Sequence, residues 1–337
     1  MVEQKIINVG IVGAGLMGAR RSAAIRATGV GRLAAVADAD EARAAEFAKT
    51  EGCEASKNYE ELVQREDIDA VIIAVPNKFL APIAVLAMEH GKNVFCEKPL
   101  GRNLAEAEAI AAAGKKYNRM VKVGFNHRFH SAVMQAKKIF DGGGIGEIMF
   151  IRGRYGNGGR SGMEKEWRFN PDISGGGELL DQGSHMVDLC RYFAGEPEEV
   201  YGVVEDKFWK PGVDDNAFVL LKQGKITASF HVSATQWKNI FSFEIYGTGG
   251  FLNIDGKGGS YGKETLVYGK RKPEFGAPDL EKFEYERDAS WEEEWRNFAG
   301  ALNGENALIG PAEDGVAANR IIEKIYESAK LDKPILI

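Results

Sequence analysis

The chain has 337 residues, with 43 Lys and Arg against 49 Asp and Glu and a formal charge of −6. At roughly 100–200 residues per domain that length points to two domains, each with its own core. The acidic balance, without a basic stripe, excludes nucleic acid as an expected partner, and no apolar run reaches the roughly 18 residues of a membrane span.

The N-terminus runs into a strand-like segment, Lys5 to Val12, with no secretory leader before it. Strand-like and helix-like segments then alternate: helical Leu16 to Arg26, an apolar run Arg32 to Ala37, helical Glu41 to Glu51, a strand Ala70 to Val75. A helix Phe79 to His90, a strand Asn93 to Cys96, a helix Leu104 to Lys116 and a strand Val121 to Phe125 follow. Near-continuous apolar strands separated by helices predict a parallel, doubly wound α/β sheet covered on both faces.

The pattern changes after Asn126. A helix is expected over Ala132 to Phe140 and another over Leu179 to Phe193. Strands are expected at Ile148 to Tyr155, Val200 to Val204, Ala217 to Leu221, Ile226 to Val232, Phe241 to Tyr246 and Phe251 to Ile254, with a hairpin turn at Gly247-Thr248-Gly249-Gly250. This reads as an α+β domain with a large, mostly antiparallel open sheet, so the division is 1–125 and 126–337. Two helices close the chain. Trp291, Trp295, Phe298, Ala299 and Leu302 share one face of the first, and Ala317, Ile321, Ile325, Tyr326 and Ala329 share one face of the second. Glu292-Glu293-Glu294 reads as a solvated first turn.

Gly13-Ala14-Gly15-Leu16-Met17-Gly18 matches G-x-G-x-x-G, after an apolar strand and at the start of a helix. Gly13 permits a tight turn, Gly15 admits a pyrophosphate to the backbone, and Gly18 lets helix and strand approach closely. Asp38 stands 20 residues beyond Gly18, where a carboxylate accepts from both adenosine ribose hydroxyls and repels a 2′-phosphate. Ala39, Asp40 and Glu41 supply no cation for such a phosphate, so the expected cofactor is NAD rather than NADP. Ala74, Pro76 and Asn77, at the carboxyl end of a strand, are expected along the cofactor's path.

Cys96-Glu97-Lys98-Pro99 closes the strand that follows. Further on, Gly175-Gly176-Gly177 precedes Asp181, Gly183 and His185, with Asp181 and His185 at i and i+4 on one helix face. The three glycines read as a flexible approach to a ligand, and Gly183 as a gap admitting one. Together these motifs resemble the Gfo/Idh/MocA family, the glucose–fructose oxidoreductase and inositol dehydrogenase group, over nearly the whole chain. The resemblance implies an N-terminal Rossmann domain and a catalytic set of Lys98, Asp181 and His185, with Glu97 and Lys98 also beside the cofactor. Many family members carry a His where this chain has Leu80.

Oxidising a secondary alcohol with a nicotinamide requires an acceptor for the hydroxyl proton, and His titrates nearest neutrality. His185 is expected as the base, with Lys98 stabilising the oxygen's developing charge; a desolvated Lys98 relaying the proton is the open alternative. Asn126 and Arg128 either touch cofactor and substrate or hold a domain junction. Tyr155, Trp167 and Arg168 flank the loop Gly156 to Gly162 and suit sugar faces and hydroxyls, although Trp167 equally serves to pin the loop. His90, His127, His130 and His231 read as structural or exposed. Hydroxyl-reading loops are expected at Gly156 to Pro171 and Trp209 to Asp215.

The expected activity is an NAD(H)-dependent dehydrogenase acting on a sugar, nucleotide sugar or cyclitol. The alternatives are a glycosidase using NAD transiently and a non-catalytic NAD-binding protein. No metal is expected, and Cys53, Cys96 and Cys190 are too few and scattered for a zinc site or disulfide framework, which places the chain in the reducing cytoplasm. An open sheet face implies a homodimer or homotetramer.

Overall fold

The apolar runs of the N-terminal third become parallel strands. The computed structural model describes residues 6–210 and 212–337, and the expected positions Lys5 and Pro211 lie outside them. Strands β1 (Asn8–Val12), β2 (Arg32–Ala37), β3 (Glu54–Ala55), β4 (Ala70–Ile73), β5 (Asn93–Cys96) and β6 (Val121–Val123) form one sheet in the order β3-β2-β1-β4-β5-β6. Every pair in it is parallel. Helices α1 (Leu16–Thr28), α2 (Glu41–Glu51), α3 (Tyr59–Gln64), α4 (Leu80–Glu89) and α5 (Leu104–Tyr117) connect the strands. The order reverses between β1 and β4, the crevice where open α/β sheets bind ligands.

Local chemistry sets the helix ends. Asp40 caps α2 by accepting from Arg43 N–H, and Asn103 caps α5 by accepting from Glu106 N–H. Helix α1 differs, because Gly15 supplies no side-chain cap and its first N–H groups are left for another acceptor.

The first unit comprises the chain through Phe125 together with Trp291–Asn319, and the second comprises Asn126–Ser290 with Arg320–Ile337. A cut at 125 followed by one continuous second domain therefore does not describe the chain. The reason is the apolar stripe of helix Ser290–Leu302. Its Trp295, Phe298 and Ala299 are buried in the core formed by Val9, Ile11, Ile72 and Phe95, and Phe298 meets the Phe95 ring edge-on at 5.5 Å.

The second unit contains helix α6 (Ser131–Asp141) and strand β7 (Ile148–Gly156), then α7 (Pro171–Ser174), α8 (Glu178–Asp181) and α9 (Gly183–Ala194). Strands β8 (Glu199–Glu205), β9 (Asn216–Gln223), β10 (Ile226–Ser233), β11 (Ile240–Gly247), β12 (Gly250–Asp255), β13 (Glu264–Lys270) and β14 (Asp279–Tyr285) follow. Helix α10 (Ser290–Leu302), helix α11 (Ala312–Leu331) and strand β15 (Ile335–Leu336) end the chain. The nine-stranded sheet runs β14-β13-β12-β11-β7-β10-β9-β8-β15 and is antiparallel except where β7 and β10 pair in parallel. The helix expected over Leu179 to Phe193 is broken at Gln182 into α8 and α9.

Candidate functional site

The three motif glycines do three separate jobs. Gly13 adopts φ +106°, and a Cβ there would lie 2.4 Å from Ala74 O. A Cβ on Gly18 would lie 2.0 Å from Gly13 O, so only glycine lets α1 start this close to the loop. A Cβ on Gly15 would meet nothing within 4 Å. Space at Gly15, beside the uncapped start of α1, fits an anion that needs backbone N–H donors, as a cofactor pyrophosphate does. Leu16 is exposed and Met17 half-buried on the first turn.

Asp38 follows β2 and faces the same loop. Its Oδ2 accepts from Ala14 N–H at 2.8 Å and its Oδ1 from Asp40 N–H at 2.9 Å. The expectation that no cation stands nearby is corrected: Arg43 Nε lies 3.9 Å from Asp38 Oδ1, brought there by the first turn of α2. Ala74 donates to Val12 O at 2.8 Å, so it continues the β4 edge beside Gly13. Pro76 precedes a short turn over Asn77–Phe79, and Asn77 is buried there. Leu80 is buried at the start of α4.

Lys98 stands half-buried just past the carboxyl end of β5, before a cis peptide bond to Pro99. Glu97, expected beside the cofactor, has its carboxylate engaged elsewhere. Arg21 Nε donates to Glu97 Oε1 at 2.6 Å and Arg21 Nη1 to Glu294 Oε2 at 2.6 Å, while Lys122 Nζ donates to Glu294 Oε1 at 2.8 Å. Glu294 and Lys122 are both 0 % exposed, so Glu294 is not the solvated residue its acidic run suggested. Two cations and two carboxylates neutralise one another inside the first unit.

In the second unit, the expected Asp181 and His185 lie on either side of the α8–α9 break, and Tyr155 comes from the end of β7. The Tyr155 and His185 ring centres are 6.2 Å apart. His127 packs beside both, stacked on His185 at 3.7 Å and 5.1 Å from Tyr155, and is itself buried, in keeping with the structural role expected for it. Burial first, then the charges of Asp181 and Glu178 and the neighbouring Tyr261, hold the Tyr155 phenol well above its ordinary range. Tyr155 therefore stays a neutral hydrogen-bonding group at working pH. Arg168 Nε lies 3.5 Å from Asp181 Oδ2, and its guanidinium sits over the Trp167 ring at 4.5 Å. Met163, Phe169 and Ala234 form a small core under this loop, with Trp209 packed on it.

Other expectations change. Arg128 makes a buried two-pronged pair with Asp188, at 2.8 and 2.6 Å, so its guanidinium is committed to the fold. Asn126 donates to Ser290 Oγ at 3.1 Å and its Oδ1 meets His127 Nδ1 at 3.1 Å. The Gly175–Gly177 run is packed tight rather than flexible, because a Cβ on Gly177 would lie 1.9 Å from Asp214 O. Gly183 faces Leu179 and Val232, not a ligand gap. His130 pairs with Glu264 at 2.9 Å, His231 with Asn216 at 3.0 Å, and His90 is exposed.

Sequence reasoning missed Gln182, Lys257 and Tyr261. Tyr261 reaches Tyr155 from the turn after β12, with ring centres 5.6 Å apart, and Lys257 Nζ lies 4.0 Å from the Tyr261 ring centre. The signal was present as Gly256-Lys257-Gly258-Gly259-Ser260-Tyr261-Gly262, a glycine-rich loop carrying one cation and one aromatic. Among the described residues, no group of three or more His, Cys, Asp or Glu side chains could hold a metal ion, and no helix is long and apolar enough to cross a membrane.

Residues 7–125 match the model of the oxidoreductase family with an NAD-binding Rossmann fold, and residues 133–253 match the C-terminal domain of the same GFO/IDH/MocA group. The levoglucosan dehydrogenase of Pseudarthrobacter phenanthrenivorans is 37 % identical over 216 residues, which are 61 % of this chain but only 55 % of that protein. The myo-inositol 2-dehydrogenase of Thermotoga maritima is 26 % identical over 98 % of this chain and 100 % of its own length. A solved levoglucosan dehydrogenase in complex with NADH and levoglucosan is similar over 99 % of each chain, with a TM-score of 0.90 and 26 % identity. The glycine loop at α1, the Glu97-Lys98-Pro99 edge, the Asp181 and His185 helices and matches to both domain models lead to one conclusion: the chain belongs to the Gfo/Idh/MocA oxidoreductase family.

Proposed function

We propose that the protein is an NAD(H)-dependent dehydrogenase that moves a hydride between the nicotinamide and a secondary alcohol or ketone of a sugar, nucleotide sugar or cyclitol. The observation that carries this reading is the grouping of Asp181, His185 and Tyr155 in a chain whose first unit keeps Gly15 open at an uncapped helix start. When bound, NAD supplies the hydride acceptor. His185 takes the hydroxyl proton in oxidation and returns it in reduction. Lys98 hydrogen-bonds the same oxygen and stabilises its developing negative charge. Asp181, held near Arg168, orients the substrate. Asp38 reads the adenosine ribose and favours NAD over NADP, the Arg43 guanidinium being turned toward Asp38 and Asp40.

Lys98→Ala and His185→Ala are each expected to lower kcat roughly 10²–10⁴-fold while NAD+ binding by calorimetry stays close to wild type. The assay follows NADH formation with myo-inositol, levoglucosan, glucose and nucleotide sugars. Near-normal turnover in either variant removes that residue from the mechanism. Equal dissociation constants for NAD+ and NADP+ overturn the cofactor preference. The protein is further proposed to work in the cytoplasm as a homodimer or homotetramer, with a second copy on the open sheet face.

A further inference from the structure

Four rings of the second unit close around His127. It sits on the short turn Asn126–Phe129 and is 2 % exposed. Its ring stacks on that of His185, 3.7 Å between centres and 21° between planes. Tyr155 lies 5.1 Å away, and the rings of His130 and Phe241 stand edge-on at 5.4 and 5.5 Å.

Polar contacts set how His127 is turned within this box. Asn126 Nδ2 donates to Ser290 Oγ at 3.1 Å, which leaves Asn126 Oδ1 facing His127 Nδ1, also at 3.1 Å. An amide oxygen only accepts, so Nδ1 of His127 carries a proton and gives it to that bond. His130, which backs His127, is tied down in turn. Its Nδ1 lies 2.9 Å from Glu264 Oε2 and 3.7 Å from Asp288 Oδ1, and Glu264 Oε1 accepts from Ala132 N–H at 2.5 Å. The ring face that His127 turns to His185 is therefore held by β13, by the start of α6 and by the turn before it.

We propose that His127 is a positioning residue for the base: its stacked ring holds the His185 imidazole in the plane from which it takes the hydroxyl proton. The last torsion of a histidine side chain is broad, so a His185 without this contact would turn about it and lose the alignment that proton transfer needs. A cation over a ring face is attracted to it, so the same contact favours the imidazolium that His185 becomes during oxidation. His127 acts through His185 and moves no proton of the substrate itself. The assignment rests on the dehydrogenase reading above and adds a residue that readies its base.

The test uses the whole protein with NAD+ and either myo-inositol or levoglucosan, whichever turns over faster. His127→Leu removes the ring and is expected to lower kcat about tenfold, with KM for the polyol and NAD+ affinity by calorimetry near wild type. His127→Phe restores a ring at the same place and is expected to recover most of that loss. In a His185→Ala background, His127→Leu is expected to cost nothing further, because the group it acts through is gone. If His127→Leu unfolds, His127→Gln replaces it, since Gln can still donate to Asn126 Oδ1 but has no ring. Wild-type kcat without the ring, a Phe variant as slow as the Leu variant, or the same tenfold loss in the His185→Ala background each overturns the assignment and leaves the dehydrogenase reading standing. A wild-type protein that oxidises no polyol or sugar overturns both.

Discussion

At Gly15 the side chain that is missing matters more than any that is present. A Cβ there would stand in open space, so Gly15→Ala is expected to leave the thermal midpoint near wild type. The same methyl group would occupy the ground a pyrophosphate needs, so NAD+ affinity by calorimetry is expected to fall at least about tenfold. Unchanged affinity would mean that phosphate does not approach the loop there. Glu294 shows the opposite case, a residue whose role is entirely internal. Removing it by Glu294→Ala leaves Arg21 and Lys122 short of a counter-charge at a buried site, with an expected loss of about 3–5 kcal/mol in urea unfolding. The spacing of Gly13, Gly15, Gly18 and Asp38 was legible because each glycine answers a local backbone demand. The fates of Glu97, Arg128 and Glu294 were not, because each partner is remote in sequence: Arg21 lies 76 residues from Glu97 and 273 from Glu294, and Asp188 lies 60 from Arg128.

Among the elements, the start of α8 depends on one loop residue. Asp214 accepts from Gly177 N–H at 3.0 Å and Leu179 N–H at 2.7 Å, and Tyr326 donates to it at 2.6 Å, so the helix that ends in Asp181 is tied to the loop before β9. Gly177→Ala would drive a methyl group into the Asp214 backbone; the expected cost is about 1–3 kcal/mol in unfolding free energy, with a displaced α8 visible as a raised substrate KM. Wild-type KM and stability together would show that the loop yields freely. The adjacent Asp215 adds a pH dependence. Burial works against its charge, but the backbone N–H groups of Lys207, Phe208 and Trp209 and the Asn216 amide outweigh it and hold the carboxyl below its ordinary value. A depressed acid pKa stabilises the fold above the unfolded value of about 4 and loses that contribution as pH falls through the folded one. The stability gap between wild type and Asp215→Asn is therefore expected to be largest near neutrality and to close progressively as pH falls below the unfolded value of about 4; a gap that widens in acid would reverse the assignment. Most strands with one buried face could be read from their alternation, but β13 and β14 both escaped notice: β13 lies in a segment with few apolar residues, and Asp-Leu-Glu-Lys-Phe-Glu-Tyr of β14 is a mostly exposed, charged edge. The break at Gln182 was hidden because 3.6-residue periodicity continues across it.

For the whole molecule, the nine-stranded sheet poses an unsolved burial problem. Its inward positions, Ile151, Val219, Leu221, Phe230 and Phe243, are buried. Its other face carries Val203, Phe218 and Leu220 in register across β8 and β9, with Phe218 44 % and Leu220 47 % exposed. Next to them His231 stacks on Phe218 at 3.9 Å, and Arg152 pairs with Glu244 at 2.6 Å. A broad apolar stripe bordered by ion pairs is costly to leave in water and suits a second copy of the same surface, because a two-fold axis sets each stripe against its counterpart. Phe218→Glu with Leu220→Glu places four carboxylates in such an interface for every pair of subunits. The wild-type protein is expected to show at least twice the chain mass of 36.8 kDa by light scattering at micromolar concentration, and the double variant the single-chain mass with its sheet intact by circular dichroism. A wild-type protein already at the single-chain mass would leave this face to water, and the dimer and tetramer proposals would both fall.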